Sequence, residues 1–205
     1  MGPKTLSEEK IVKLLGERKR KTIRDENLKV SAVYIPMFVK GGEYYLLFTR
    51  RTYKVRHHKG QICFPGGTFH SHEDTDLEDT AMRETEEELG ILRDDLRIFG
   101  PLDDISTHSS AFIITPYVGI FPYPYDFNIN TFEIEALIEV PLAALLDDKN
   151  YKEELWIIEG EPYQASLYRY GQDIIWGATA RILNHFLDLL RTIIPDEGPV
   201  VGEPI

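Results

Sequence analysis

Phe64-Pro65-Gly66-Gly67 closes a short apolar run, a polar loop follows, and then comes Ala81-Met82-Arg83-Glu84-Thr85-Glu86-Glu87-Glu88-Leu89-Gly90-Ile91. The second segment reads as a helix dense in carboxylates. Thr75 followed by Glu78 has the spacing of a capping box, which sets the predicted helix start. Gly90 sets its end, because glycine tolerates the left-handed turn after a helix. Glu84, Glu87 and Glu88 stand at i, i+3 and i+4 and so share one face, with Met82, Thr85 and Leu89 roughly opposite. Like charges at that spacing repel. For an isolated glutamate triplet a solvated face is the ordinary outcome. A fold gains little by accumulating such charges unless something cationic sits among them, and a divalent metal is the obvious candidate. All-oxygen ligands select a hard ion, Mg²⁺ or Mn²⁺.

Just upstream lies Arg50-Arg51-Thr52-Tyr53-Lys54-Val55-Arg56-His57-His58-Lys59-Gly60, a dense positive cluster in an otherwise acidic chain. His57 and His58 read as exposed loop residues. Before the cluster, Val30–Val39 and Tyr44–Thr49 are β-rich runs around Lys40-Gly41-Gly42-Glu43, a predicted hairpin. Residues 6–20 form an amphipathic helix on Leu6, Ile11, Leu14 and Leu15, and the basic stretch Arg18–Arg24 reads as a solvated connector. Downstream, Leu96–Leu102 and Phe112–Phe121 are predicted strands and Pro122–Asn130 a loop. Glu133–Val140 suits strand or turn, with a short helix from Pro141 through Leu146. Trp156–Ile158 and Tyr163–Tyr170 read as a hairpin, and Ile182, Leu183, Phe186 and Leu190 mark a last helix over Ile175–Ile193. The domain expectation is an N-terminal helix and connector (1–25) packed on one domain (26–194), with a loose tail (195–205). Strands interleaved with a central and a terminal helix predict an α/β fold, a mixed β-sheet sandwiched between helices (α/β/α).

At 205 residues the chain can bury one sizeable core. A net charge of −11 argues against a nucleic-acid or anionic-membrane partner, which would need a basic footprint. It also means that an anionic substrate must be drawn in by a local positive patch or a metal. The single cysteine, Cys63, excludes an internal disulfide framework and reads as a buried structural thiol. With no apolar run near membrane-spanning length and no signal-peptide pattern, a cytoplasmic protein is expected, monomer or homodimer.

Gly67, Glu73, Arg83, Glu84, Glu87, Glu88, Gly90 and Ile91 together resemble the box of the Nudix hydrolases, a Gly, a Glu after five residues, then Arg-Glu-x-x-Glu-Glu-x-Gly and an aliphatic residue. Two positions depart from it: nine residues separate Glu73 from Arg83 where seven are common, and Thr85 replaces an aliphatic residue. Leu47-Phe48-Thr49-Arg50-Arg51-Thr52, Arg56, Gly60 and Phe64–Gly67 resemble the extended motif of the coenzyme A pyrophosphatase-type subfamily. Glu133-Ile-Glu-Ala-Leu-Ile-Glu-Val-Pro-Leu142 and Ile175–Arg181 agree with it; Ala111 stands where that subfamily usually has glycine.

The resemblance implies a Nudix fold and metal-dependent hydrolysis of a diphosphate. Glu84, Glu87, Glu88 and the Gly66 carbonyl would hold Mg²⁺ or Mn²⁺, and Arg83 would orient its neighbouring glutamates. Glu84 or Glu133 would serve as general base. Arg51 and Arg56 would meet substrate phosphates beside Gly67, since a guanidinium offers a planar fork of donors. For coenzyme A or its acyl derivatives, the products would be 3′,5′-ADP and 4′-phosphopantetheine. The alternatives are another nucleoside diphosphate derivative (ADP-ribose, NADH, a dinucleoside polyphosphate) or a non-catalytic nucleotide-binding module.

Overall fold

The computed structural model describes residues 6–107, 111–158 and 160–194. Its organising strand, β1 (Lys29–Lys40), is apolar on both faces because both faces are covered. Ala32, Tyr34 and Phe38 pack with Ala81 and Leu89 on one side. Ile35 and Met37 pack on the other with Ile11, Leu15, Ile182 and Phe186. The period of two along a strand sorts these residues to opposite layers.

A two-glycine turn at Gly41-Gly42 returns the chain into β2 (Glu43–Arg51), with Lys40 opposite Glu43, as the sequence predicts. Along its outer half, Met37–Lys40, β1 pairs with β2; along Ser31–Val33 it pairs instead with β4 (Gly66–Thr68). Between them lies β3 (Ile62–Cys63), antiparallel to the end of β2. On its other edge β1 runs parallel to β7 (Phe112–Ile120). β5 (Arg97–Pro101) and β6 (Ile105–Ser106) both pair antiparallel with β7, and β8 (Ile134–Pro141) pairs antiparallel with β2. Together they form one mixed eight-stranded sheet.

Helix α2 (Leu77–Leu89) covers one layer, while α1 (Glu8–Glu17) and α4 (Gly177–Arg191) contribute to the other. Leu6, Ile11 and Leu15 are buried, each contributing roughly 1.5–3 kcal/mol of apolar burial, so α1 is held to the sheet rather than loosely attached. A short helix, α3 (Leu142–Leu146), follows β8. β9 (Tyr151–Ile158), β10 (Glu161–Tyr170) and β11 (Asp173–Ile175) make a separate antiparallel sheet. It is joined to the main sheet by Tyr168 and Ile175 in the core and by an Arg50–Asp173 ion pair.

Several sequence expectations are corrected. α2 begins one residue later than the Thr75–Glu78 capping box implies. Asp76 is the N-cap, its side chain accepting from Asp79 N at 2.9 Å, while Thr75 N donates back to Asp79 Oδ2 at 2.9 Å. A second acid at the third helical position outcompetes Glu78 for that role. The basic stretch after α1 is not a solvated connector. Arg18 pairs with Asp103, Arg20 with Asp104 at 2.7 Å, and the backbone of Lys21 and Ile23 donates to the same two aspartates. Ile175 belongs to β11, and the last helix starts at Gly177. The Glu133–Val140 stretch resolves as strand from Ile134 onward, with Glu133 in the preceding turn, and the second hairpin starts at Tyr151, earlier than predicted. Ala111 adopts φ +54°, the left-handed conformation that explains why glycine suits this position. The tail expected over 195–205 lies outside the described residues. Among the described residues no helix is long and apolar enough to cross a membrane.

Candidate active site

The site forms where β1 changes partner. Tyr34 N donates to the Pro65 carbonyl at 2.9 Å, and the chain then turns into Gly66-Gly67 along β1. Helix α2 lies against β1 and β4 and ends at Gly90, whose φ of +71° lets its N–H reach Glu86 O at 2.8 Å. The absence of side chains at the paired glycines brings the helix acids close. A Cβ at Gly66 would lie 2.3 Å from the Ala32 carbonyl oxygen, and one at Gly67 would lie 2.4 Å from the Glu84 carboxylate. Glycine at 67 therefore holds open the space that Glu84 occupies.

The three glutamates of the shared face are not alike. Glu88 is buried, and burial pushes its carboxyl up to about 8. The Arg51 charge opposes that rise, Glu84 and Glu133 add to it, and the Gly66 backbone donor opposes it. Glu84 is half-buried and raised as well, chiefly by desolvation, with Arg83 pulling the other way. Glu87 is exposed and pairs with Arg83 Nη1 at 3.1 Å. Among the described residues no three His, Cys, Asp or Glu side chains converge as a preassembled metal cage. Mutual repulsion gives the physical reason: Arg83 takes Glu84 at 2.8 Å and Glu87, while Arg51 takes Glu88 at 3.6 Å.

Arg83 is buried beneath these acids. Its Nε and Nη2 grip the buried carboxylate of Asp74 at 2.7 and 3.2 Å, and Nη2 also reaches the Thr68 carbonyl at 3.3 Å. Those hydrogen bonds from Arg83 hold Asp74 down to about 2. His70 N donates to Asp74 Oδ2 at 2.8 Å and closes the loop. Glu73, which the box spacing singles out, is exposed, and among the described residues its carboxylate meets only His70 Nδ1, at 3.1 Å. Asp74 is thus the residue that sequence reasoning missed. Its signal was an acid one position beyond the box glutamate, in a loop whose extra residues move the anchor. Thr85, the other departure, is buried and satisfied within the helix by Ala81 O at 2.6 Å.

Arg51 stands inside the acid cluster, its Nη1 3.6 Å from Glu88 and its Nη2 3.6 Å from Glu133. Thr52 fixes this approach: its N–H donates to Glu133 O at 2.7 Å and its hydroxyl to Phe132 O at 2.6 Å. Arg56 is exposed on the loop beyond and makes no hydrogen bond or ion pair with a described residue. Cys63 is half-buried, its Sγ 3.2 Å from Thr49 Oγ1, and desolvation pushes its thiol up to about 11, which suits an inert role.

Two atoms are left over in the cluster. Glu88 Oε2 and Arg51 Nε are buried without a hydrogen-bond partner among the described residues. An unsatisfied buried polar group costs roughly 1–3 kcal/mol, and more when charged. A carboxylate oxygen left in that state beside further carboxylates is an acceptor set that fits a hard divalent cation.

The NUDIX domain profile matches residues 28–158, a span that contains this whole cluster. An uncharacterized Nudix hydrolase NudL from Photorhabdus laumondii is 34% identical over 159 residues, covering 78% of this chain and 83% of the relative. One of the same name from Yersinia pestis is 37% identical over 155 residues, 76% of each chain. Among solved structures, a Nudix hydrolase from M. smegmatis, RenU, superposes with a TM-score of 0.55 at 16% identity, covering 86% of this chain and 94% of that one, which speaks to the fold alone. With that profile match and relatives above 30% identity over three quarters of its length, the chain belongs to the Nudix family of diphosphate hydrolases.

Proposed function

We propose that the protein hydrolyses the diphosphate bond of coenzyme A or its acyl derivatives, releasing 3′,5′-ADP and 4′-phosphopantetheine. The carrying observation is the buried, half-unpartnered Glu88 carboxylate with Arg51 of the upstream basic motif drawn against it. That contact joins the two sequence signatures, one for diphosphate cleavage and one for the coenzyme A type, in a single cluster.

Glu84, Glu87, Glu88 and the Gly66 carbonyl are the residues that would hold Mg²⁺ or Mn²⁺. When bound, such an ion supplies charge neutralisation at the diphosphate oxygens and Lewis acidity toward water. Arg83, locked on Asp74, orients Glu84 and Glu87 and does not touch substrate. Glu84 and Glu133 are the carboxylates that can take the proton of the attacking water; their charges act on one another across the site. Arg51, already between Glu88 and Glu133, exchanges those carboxylates for substrate phosphate oxygens, a stronger, charge-assisted partner for its fork. Arg56, exposed on the same loop, meets the outlying 3′-phosphate. Gly67 leaves the room in which Glu84 and the diphosphate come together. The longer spacing before Arg83 does not disable the box, since Asp74 supplies the anchor that the shifted Glu73 does not.

A turnover panel of coenzyme A, an acyl-coenzyme A, ADP-ribose, NADH and diadenosine polyphosphates, with Mg²⁺ or Mn²⁺ and product identification, tests this reading. Coenzyme A cleaved to 3′,5′-ADP and 4′-phosphopantetheine in preference to the others is expected. ADP-ribose turnover far exceeding that of coenzyme A would overturn the assignment, and no turnover of any diphosphate would leave a binding module.

A further inference from the structure

Glu133 is carried by a turn that apolar burial does not hold: Thr131 faces solvent and Phe132 is 63% exposed. Polar ties hold it instead, and they run to two different elements. The first is α2. Asn128 N donates to Leu89 O at 3.0 Å and Asn130 N to Glu88 O at 2.9 Å. These carbonyls belong to the last helical turn, where α2 has no N–H of its own to offer them. A Cβ at Gly90 would lie 2.6 Å from Asn128 Cβ, so the bare glycine is what lets this segment dock on the helix end. From that anchor Asn130 builds the turn. Its carbonyl accepts from Glu133 N at 3.0 Å and from Ile134 N at 2.9 Å, which spends both lone pairs. Its Oδ1 accepts from Phe132 N at 3.2 Å, an Asx turn.

The second element is the end of β2. Thr52 N donates to Glu133 O at 2.7 Å, and the Thr52 hydroxyl donates to Phe132 O at 2.6 Å while accepting from Lys54 N at 3.2 Å. At this point β2 and β8 slip by one residue, Arg50 facing Ala136 but Arg51 facing Ile134. Such a bulge re-aims the side chains beside it. The outcome is Glu133 Oε2 at 3.6 Å from Arg51 Nη2, with Arg51 Nη1 at the same distance from Glu88. The turn is thus clamped between the backbone of Glu88 and the residue next to Arg51. Glu84, by contrast, is already gripped by Arg83 at 2.8 Å, whereas Glu133 meets its arginine beyond hydrogen-bond distance.

We propose that Thr52 and Asn130 are positioning residues that fix the reach of Glu133 over the cluster, so that Glu133 takes the proton of the attacking water. The inference rests on the hydrolytic reading above. The proton passes to the Glu133 carboxylate as the water oxygen bonds to phosphorus, and the bridging oxygen leaves with the other phosphate. A base displaced by about 1 Å loses on the order of 100-fold in rate, so a clamp on an otherwise solvated turn has a direct kinetic consequence.

Steady-state kinetics on coenzyme A, or on whichever diphosphate the turnover panel shows cleaved, test the proposal together with Mn²⁺ calorimetry in the absence of substrate. Glu133→Gln should lower kcat about 100-fold or more, the usual worth of a general base. Thr52→Val keeps the side-chain shape and removes both hydroxyl bonds. It should lower kcat about 10- to 100-fold, with KM and Mn²⁺ affinity near those of wild type. Thr52→Ser restores the hydroxyl and should restore kcat, while Asn130→Ala loosens the same turn by a separate route and should lower it. The Thr52→Val/Glu133→Gln double variant should be no slower than Glu133→Gln alone, because misplacing a side chain that no longer accepts the proton loses nothing further. Losses that multiply in the double variant, a raised KM at unchanged kcat, or unchanged kcat in both Thr52→Val and Asn130→Ala would overturn the positioning role. The hydrolytic reading fails separately: no turnover of any diphosphate by wild type removes both, whereas Glu133→Gln as fast as wild type removes this inference alone.

Discussion

Replacing Asp74 by alanine should cost about 3 kcal/mol of folding stability, whereas replacing its neighbour Glu73 should cost less than about 0.5 kcal/mol. Asp74 and Arg83 form a buried two-point pair, and removing one partner of such a pair typically costs roughly 3–5 kcal/mol because a charge is stranded. Arg83 keeps Glu84, Glu87 and the Thr68 carbonyl, which pulls the figure to the lower end of that range. Glu73 is exposed with one histidine contact, so its loss falls among ordinary surface changes. For a chain of this size the Asp74 variant should melt about 6–12 °C lower.

The same pair carries a pH signature. Asp74 sits at about 2 against its ordinary 3.8, so the folded state holds the proton less readily than the unfolded chain. Its contribution is complete above about pH 4 and is lost as the pH falls through 3.8 toward 2. At 1.36 kcal/mol per pH unit the contribution is at most about 2.4 kcal/mol. Asp74→Asn cannot titrate, so the stability gap between wild type and this variant should narrow as the pH is lowered from 6 to 3. Urea denaturation of wild type and the D74A, D74N and E73A variants at both pH values measures each quantity. Equal losses at positions 73 and 74, or a gap between wild type and D74N independent of pH, would refute the anchoring argument.

Glu88→Gln should lower turnover by orders of magnitude while the melting temperature holds or rises, because the amide removes a buried carboxylate that burial already disfavours; a cooperative unfolding scan beside the turnover assay checks both, and full activity would contradict its role. Arg51→Ala should reduce activity on coenzyme A and dephospho-coenzyme A by similar factors, since it adjoins Glu88, whereas Arg56→Ala should penalise coenzyme A more; paired KM measurements on the two substrates decide this. Ala111→Gly should stabilise the fold by up to about 1 kcal/mol, as the left-handed φ of +54° costs alanine roughly 1–2 kcal/mol and glycine's extra unfolded-state freedom returns part of it; a lower melting temperature would count against that account.

The residues read as the metal-binding face illustrate how far pattern goes. The spacing of Glu84, Glu87 and Glu88 placed them on one side of a helix, because helical geometry is local and periodic. The hairpin at Gly41-Gly42, the α2 terminus at Gly90 and the α/β/α layering were legible for the same reason: each follows from dihedral preference or from apolar alternation along a short stretch. The start of α2 was misread by one residue, since Asp76, Glu78 and Asp79 all offer capping oxygens and only the loop's path selects among them.

What tertiary structure alone decided is which charge meets which. Arg18 and Arg20 look like solvated cations until β5 and β6 bring Asp103 and Asp104 beside them. Asp74 looks like one loop acid among several until the fold buries it under Arg83. Likewise, Thr52 and Phe132 are 80 positions apart, and only the fold brings the Thr52 hydroxyl to the Phe132 carbonyl at 2.6 Å. The sequence by itself determined the central and terminal helices, the long strands β1, β2 and β7, the acid face and the family motif, all written in residues near one another along the chain. Pairing between distant charges and rings depends on the closing of long loops and on desolvation, and neither has a local code.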